Sequence, residues 1–228
     1  MRIDILVPVY VDMWNEGILK EAITSKAPDV DLRVTNLDGG VPSMESAYDV
    51  AIGARLVVEK AQQLEKEGSD GIIVYCFKDP ALEACKEKLD IPVVGLRESS
   101  IALAGIIGDS ISVITSRKYS VSYYSRALKD KVKSVTCLGI PVLEFLDYSR
   151  VEKALEERVA ESVNIGCDVV VLGCGSILGV DFKRLEKTYG VSIIRPVAAA
   201  VAACDFLARN GLKQSRIAYP SPEIKEIK

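Results

Sequence analysis

The chain has 228 residues, of which 49% are hydrophobic and 27% are charged, so it can bury a sizeable core. Its net charge of -3 comes without long blocks of like charge, which excludes the basic face of a protein that binds nucleic acid or an anionic membrane. The sequence contains no histidine, which excludes an imidazole general base and an imidazole-based metal site.

The start of the sequence lacks the pattern of a secretory signal, and no apolar run approaches the roughly 18 residues of a membrane span. We therefore expect a cytoplasmic protein. Its six cysteines should be reduced in that compartment. Because no two of them form a Cys-x-x-Cys pair, neither a disulfide framework nor a zinc site is indicated, and we expect no metal.

The first half of the chain alternates short apolar runs with segments whose apolar residues recur at helical spacing. The predicted strands comprise residues 3–9, 31–37, 71–75 and 91–96. The predicted helices comprise residues 17–23, 48–67, a segment that begins at Asp79-Pro80, and residues 97–107. At that third helix, Asp79 would cap the free amides and Pro80 would take the first helical position.

The same order of elements then begins again. The predicted strands are residues 111–115, 134–138, 169–172 and 191–194, and the predicted helices are residues 119–128, 151–166, 181–189 and 198–207. This repetition predicts an α/β fold of two pseudo-symmetric lobes, each a four-stranded parallel sheet flanked by helices, with the active site in the cleft between them.

The repeat also suggests where one lobe ends and the other begins. We assign residues 1–98 and 208–228 to the first lobe and residues 99–207 to the second. The last helix, residues 198–207, should cross back to the first lobe, and residues 211–228 form a polar tail.

Two of the predicted strands end on a thiol. An Asp stands six residues before each, Asp70 before Cys76 and Asp168 before Cys174. Ligands of open α/β sheets bind beyond the carboxyl ends of the strands, so both sulfurs lie where chemistry is expected. A single Cys at the end of a core strand is more often a packing residue, but recurrence at the same point of the repeat indicates a function.

The remaining candidates have simpler interpretations. Asp70 and Asp168 are typical turn residues. The other cysteines should be small core hydrophobes: Cys85, Cys137, Cys167 and Cys204. The segment from Ser43 to Ser46 either contacts a substrate or only begins a helix, since Ser followed by acidic residues suits a helix start.

Several blocks of the sequence resemble the hydantoin racemases, including the allantoin-racemizing members, of the aspartate/glutamate racemase superfamily. The blocks are residues 40–49, 75–82, 92–98, 112–116, 140–143, 171–176 and 212–215, and they span nearly the whole chain. The resemblance implies two lobes, no cofactor, and one catalytic cysteine on each lobe, namely Cys76 and Cys174. We further expect a homo-oligomer that acts on a small-molecule substrate and binds neither nucleic acid nor a membrane.

The chemistry of racemization explains why two thiols are needed. A base must remove a proton from one face of a stereocentre while an acid supplies one to the other face. One cysteine must then be a thiolate, from a free pKa of about 8.5 that a helix N-terminus lowers. We expect the helices beginning near Asp79 and Asp181 to have this effect.

Backbone amides after each cysteine could hold the developing enolate oxygen, where electrostatic stabilisation contributes most. Together with the matched blocks, this gives the expected substrate-binding residues: Phe77, Lys78, Gly175, Ser176, Ser43, Thr115 and Ser116.

One position departs from the family pattern. Hydantoin racemases commonly carry Asn-Pro-Asn at the end of the first strand, where this chain has Val7-Pro8-Val9. The loss of two amides should weaken recognition of a polar ring edge, because an unmet polar group in a closed site costs roughly 1–3 kcal/mol. Tyr10, Asp12 and Trp14 are alternative replacements for the lost contacts.

The expected function is cofactor-independent racemization of a carbon acid next to a carbonyl, in the first place a 5-substituted hydantoin or allantoin. Other possibilities stay open. These are a cis-trans isomerase that uses one thiol as nucleophile, an amino-acid racemase of the same superfamily, and a non-catalytic two-lobed binding protein. A decarboxylase with one thiol is disfavoured because it would not need Cys76.

Overall fold

A computed structural model describes residues 1–223 and residue 225. The strands are β1 (Arg2–Val7), β2 (Asp31–Asn36), β3 (Gly71–Val74), β4 (Val93–Gly95), β5 (Ile111–Thr115), β6 (Ser134–Cys137), β7 (Val169–Leu172) and β8 (Ser192–Ile194). The helices are α1 (Asn15–Ala22), α2 (Ala47–Lys66), α3 (Leu82–Lys88), α4 (Leu96–Ile107), α5 (Lys118–Ala127), α6 (Tyr148–Asn164), α7 (Phe182–Tyr189) and α8 (Pro196–Arg209). Short 3-10 turns lie at Ile23–Ser25 and Val142–Glu144.

The strands form two separate parallel sheets in the described part of the chain. The first has the order β2-β1-β3-β4 and the second has the order β6-β5-β7-β8. The central strands are buried on both faces, as the runs of β-branched residues in β3 and β7 require. The prediction of two α/β lobes with four parallel strands each is confirmed.

The two acidic residues that precede the cysteine strands each fix the start of a neighbouring strand. A carboxylate oxygen of Asp70 accepts a hydrogen bond from the backbone N–H of Arg2, which begins β1, at 2.7 Å. Asp168 accepts from the N–H groups of Asp109 and Ser110, just before β5, at 3.2 and 2.9 Å. The lobes therefore repeat these side-chain contacts as well as their topology.

Packing links the two halves of the chain. Helix α8 packs against α1, β3 and β4 of the first half, whereas α4 packs against α8 and β7. The polar tail lies against the first half, where Gln214 donates to the carbonyl of Val93 and Arg216 to that of Glu87. Positions 224 and 226–228 of the tail lie outside the described residues. No helix in residues 1–223 combines the length and the apolar character needed to cross a bilayer.

The helix predicted to begin at Asp79-Pro80 begins instead at Leu82, after Ala81 in the left-handed conformation with φ 53°. The carboxylate of Asp79 is used elsewhere, because it accepts from the backbone N–H groups of Arg97 and Glu98 at the start of α4. It also forms a 3.4 Å ion pair with the Arg97 guanidinium. The prediction that Asp79 caps the following helix is therefore wrong.

Replacing Asp79 by alanine should lower the free energy of unfolding by about 3–5 kcal/mol, because it leaves the half-buried Arg97 guanidinium without its carboxylate partner and two amides of α4 without their acceptor. Asp181→Ala is the matched control, since Asp181 caps α7 through the N–H of Arg184 at an exposed site. That loss should be only about 1 kcal/mol. Urea unfolding measures both, and equal losses would contradict this role of Asp79.

Candidate active site

Cys76 and Cys174 occupy equivalent turns at the carboxyl ends of β3 and β7. The carbonyl of Cys76 accepts from the N–H of Asp79 at 2.9 Å, and that of Cys174 accepts from the N–H of Ile177 at 3.4 Å. Each cysteine is thus the first residue of a tight turn that leaves the sheet. Both side chains are half-buried free thiols.

A single small cavity brings the two turns together. All nine residues predicted for the site line it: Cys76, Cys174, Phe77, Lys78, Gly175, Ser176, Ser43, Thr115 and Ser116. Whether these residues act as predicted stays a prediction, but the fold places them around one space. Its volume is about 50 Å³. Ligand sites typically have roughly 300–1,000 Å³, so this cavity is much smaller than a typical ligand site.

Direct contacts between the lobes keep the cavity closed. The hydroxyl of Tyr75, next to Cys76, donates to the carbonyl of Gly175, next to Cys174, at 2.5 Å. At the other side, the hydroxyl of Tyr119 donates to a carboxylate oxygen of Glu45 at 3.4 Å. The loop before α2 and the start of α5 therefore meet over the site.

Gly175 allows the close approach of the two lobes. A Cβ at this position would lie 2.8 Å from Leu96 Cδ1 and 2.8 Å from Tyr75 Cζ. Gly175→Ala should therefore force the lobes apart and destabilise the protein by about 1–3 kcal/mol. Gly105→Ala, on α4 with nothing within 4 Å of the added carbon, should instead be neutral or stabilising. Thermal unfolding of the pair checks this prediction, and similar shifts would contradict it.

Lys78 places a positive charge beside the thiols. Its side chain is buried, and its ammonium lies 4.3 Å from the ring centroid of Tyr123 and 5.2 Å from that of Tyr124. The nearby carboxylate of Asp79 pairs with Arg97 instead. Burial lowers the pKa of Lys78, while negative charge on either cysteine opposes that shift. The cation therefore favours an anion within the cavity.

The closed site keeps both thiols protonated near neutral pH. Burial raises the pKa of Cys76 to about 11, although the backbone N–H and the ammonium of Lys78 both act to lower it. Burial likewise raises the pKa of Cys174 to about 12, although the backbone N–H of Ser176 acts to lower it. The expectation that helix N-termini lower these pKa values is wrong. Desolvation dominates, and the helix after Cys76 begins only at Leu82.

The cavity lining also includes ten residues outside the predicted set of nine, and the sequence pointed to some of these through Val7-Pro8-Val9, Trp14 and the segment that contains Met44. They are mainly apolar or aromatic: Val7, Pro8, Val9, Trp14, Met44, Tyr75, Ser120, Tyr124, Val142 and Gly173. Tyr124 packs edge to face on Phe77 with ring centroids 5.3 Å apart. In the sequence, Tyr124 stands at the spacing of apolar residues on a helix, which predicts a core position. Nothing in the sequence therefore marks Tyr124 as a site residue.

The side chains around the two thiols do not form a metal-binding site. Within the described ranges, no group of three or more Cys, Asp or Glu residues has a metal-binding arrangement.

The model of the Asp/Glu/hydantoin racemase family matches residues 16–204. The chain belongs to this family. A hydantoin racemase from Pseudomonas sp. (strain NS671) is 29% identical over 241 aligned positions that cover 99% of this chain and 94% of the relative. The resemblance stated from the sequence blocks is confirmed.

Solved structures of family members show the same architecture over the whole chain. An allantoin racemase from Klebsiella pneumoniae superposes with a TM-score of 0.93, at 26% identity, covering 100% of this chain and 96% of that one. An allantoin racemase from Pseudomonas fluorescens gives a TM-score of 0.91 at 25% identity, with both chains fully covered. The expected class of enzyme, an isomerase of the racemase type, is confirmed.

Proposed function

We propose that the protein racemizes a carbon acid next to a carbonyl, in the first place a 5-substituted hydantoin or allantoin, by proton transfer between Cys76 and Cys174. The observation that carries this proposal is the pair of thiols, one from each lobe at equivalent turns, in one cavity. The names of the relatives, hydantoin racemase and allantoin racemase, support the substrate class.

The mechanism follows from placing an acid and a base on opposite faces of one carbon. The thiolate of one cysteine removes the proton from the stereocentre, and the electron pair delocalises into the adjacent carbonyl as an enolate. The opposite thiol then returns a proton to the other face, and the second cysteine is left as the thiolate. No cofactor takes part in this proposal, because the carbonyl itself holds the electron pair.

Two features of the closed site would stabilise the enolate. Within the described residues, the backbone N–H groups of Phe77 and Gly175 have no backbone acceptor, which leaves them free for a developing oxyanion. The ammonium of Lys78 adds a positive charge in surroundings from which water is largely excluded. Both contributions grow as charge develops, so they favour the intermediate over the neutral substrate.

Racemization of a free amino acid is the second candidate, and Lys78 is the observation that favours it. A buried ammonium that rests on aromatic faces could pair with a substrate carboxylate as well as with an enolate. A hydantoin lacks that carboxylate, so the two substrate classes use Lys78 differently.

Exchange in deuterated water tests the proposal. Enantiopure 5-isopropylhydantoin, allantoin and valine are incubated with the enzyme, and chiral chromatography with mass spectrometry follows inversion and deuterium uptake. We expect inversion of a hydantoin or allantoin with one deuterium gained, well above the buffer rate. Inversion of valine alone would favour the amino-acid alternative. No exchange with any substrate would contradict the proposed racemization.

We also propose the division into a first lobe of residues 1–98 and 208–228 and a second lobe of residues 99–207. The packing of α8 against β3 and β4 supports a last helix that crosses to the first lobe. A cytoplasmic location and a homo-oligomeric state remain proposals, and sedimentation analysis of the purified protein tests the second.

A further inference from the structure

Trp14 contributes an unusual polar group to the cavity. It is the only tryptophan in the chain, it lies just before α1, and its side chain is 4% exposed. It lines the same cavity as Cys76 and Cys174. Among the described residues, its indole Nε1 is buried and has no hydrogen-bond partner.

A buried indole N–H without an acceptor costs free energy, and buried tryptophans usually find one. The cavity lining contains apolar residues such as Val7 and Val9 and also hydroxyl acceptors such as that of Ser43, but none of these hydroxyls accepts a hydrogen bond from the indole N–H. The side-chain oxygen of Asn36 accepts from Asn15 Nδ2 at 2.7 Å, and the buried Oδ1 of Asn15 makes no hydrogen bond with the indole. The N–H of Trp14 is thus a donor available to a ligand.

We infer that Trp14 is a specificity-determining residue whose indole N–H donates to a ring carbonyl oxygen of the bound substrate, while Val7 and Val9 contact its apolar substituent. This inference rests on the proposed function. With this arrangement, the site selects a substrate that has a carbonyl acceptor on one side and an aliphatic group on the other. A ligand edged only with N–H donors would leave the indole unpaired and is disfavoured.

The test uses Trp14→Phe, which keeps an aromatic ring and removes the donor. Trp14 makes no side-chain cap to α1, so the exchange removes no capping bond. The ligands are racemic 5-isopropylhydantoin and its 2-thio and 4-thio analogues, in which a weak sulfur acceptor replaces one oxygen. A racemate is already at equilibrium, so turnover does not disturb the measurement of its dissociation constant by calorimetry.

We expect Trp14→Phe to weaken binding of the dioxo compound about tenfold, and to weaken binding of one thio analogue much less. The analogue that responds least identifies the carbonyl that accepts the bond. A merely structural role would weaken all three ligands equally, and that result would overturn the inference. Unchanged binding of all three would overturn it as well.

Two further measurements separate this inference from the proposed function. Tyr10→Phe, at an exposed residue of the same loop outside the cavity lining, should change no dissociation constant. In the wild-type protein, emission from the single tryptophan should change on saturation with 5-isopropylhydantoin. If the wild type racemizes the hydantoin but Trp14→Phe binds all three ligands as tightly as the wild type does, or binds all three more weakly by the same factor, only the inference fails. If the wild type neither binds nor racemizes any hydantoin, both fail.

Discussion

Replacing either Cys76 or Cys174 by serine is expected to reduce racemization by at least about 10³-fold. A serine hydroxyl is close in size to a thiol but far less acidic, so it cannot become the base near neutral pH. The side chains are half-buried and line the cavity, and serine is close in size to cysteine, so the fold should survive the exchange. Racemization of each enantiomer, measured by chiral chromatography, gives the result directly.

The two serine variants should differ by the hand of the substrate. Each loses the base for one face of the stereocentre, so it no longer exchanges the enantiomer whose proton that thiol removes. The other enantiomer can still lose its proton to the remaining thiolate and regain deuterium on the same face. Mass spectrometry in deuterated water should therefore find exchange without inversion for one hand in each variant, and for opposite hands in the two.

Cys137→Ser is the matched control for this pair. Cys137 is also a half-buried thiol at the carboxyl end of a strand, β6, but it lies outside the cavity lining. Its exchange should leave racemization at the wild-type rate. Wild-type rates in both Cys76→Ser and Cys174→Ser would rule out proton transfer between two thiols.

The fold was predictable because the sequence repeats its own local pattern. Buried β-branched runs, each followed by a helical segment, specify a parallel sheet, and two such series specify two lobes. The equivalence of Cys76 and Cys174 could be predicted from the same repeat. The sequence could not reveal that Asp70 and Asp168 each hold the first residues of a neighbouring strand, because those partners are far away along the chain.

The helix start at Asp79-Pro80 was predicted wrongly because the carboxylate of Asp79 binds residues that are distant along the chain. Asp followed by Pro suits the beginning of a helix, but the amides of Arg97 and Glu98 take this carboxylate. Their helix, α4, starts right after β4, the strand next to β3 in the sheet. Tertiary contacts therefore override the local preference.

The protonation state of the thiols could not be predicted from the sequence either. It depends on burial, which arises only when aromatic residues from both lobes close on the turns: Tyr75 from the first half and Tyr124 from the second. Trp14 illustrates the same limit. The sequence left it as one of three alternatives in its loop, and burial in the cavity distinguishes it from the exposed Tyr10.

Removing the positive charge of Lys78 should impair catalysis almost as much as removing a thiol. Lys78 opposes the upward pKa shift of Cys76, so Lys78→Met should raise that pKa further above about 11. A nearby opposite charge is typically worth one to three pKa units, and each unit lowers the thiolate fraction tenfold below the pKa. We expect kcat/KM at pH 8 to fall by roughly 10- to 1,000-fold.

The pH dependence of the rate reflects the same thiol pKa. Because the raised thiol pKa keeps the base protonated, kcat/KM of the wild type should increase from pH 7 toward pH 10, and the rising limb should move to higher pH in Lys78→Met. Lys86→Met is the matched control, since this lysine is equally buried and lies over the ring of Tyr219, but outside the cavity. It pairs with Glu98, so its loss should lower stability without moving the profile. Below both pKa values, a pKa shift lowers kcat/KM by the same factor at every pH, so the rate at which iodoacetamide alkylates Cys76 at pH 8 distinguishes the two causes. Alkylation as fast in Lys78→Met as in the wild type would show that the charge acts on the enolate alone and leaves the thiol pKa unchanged.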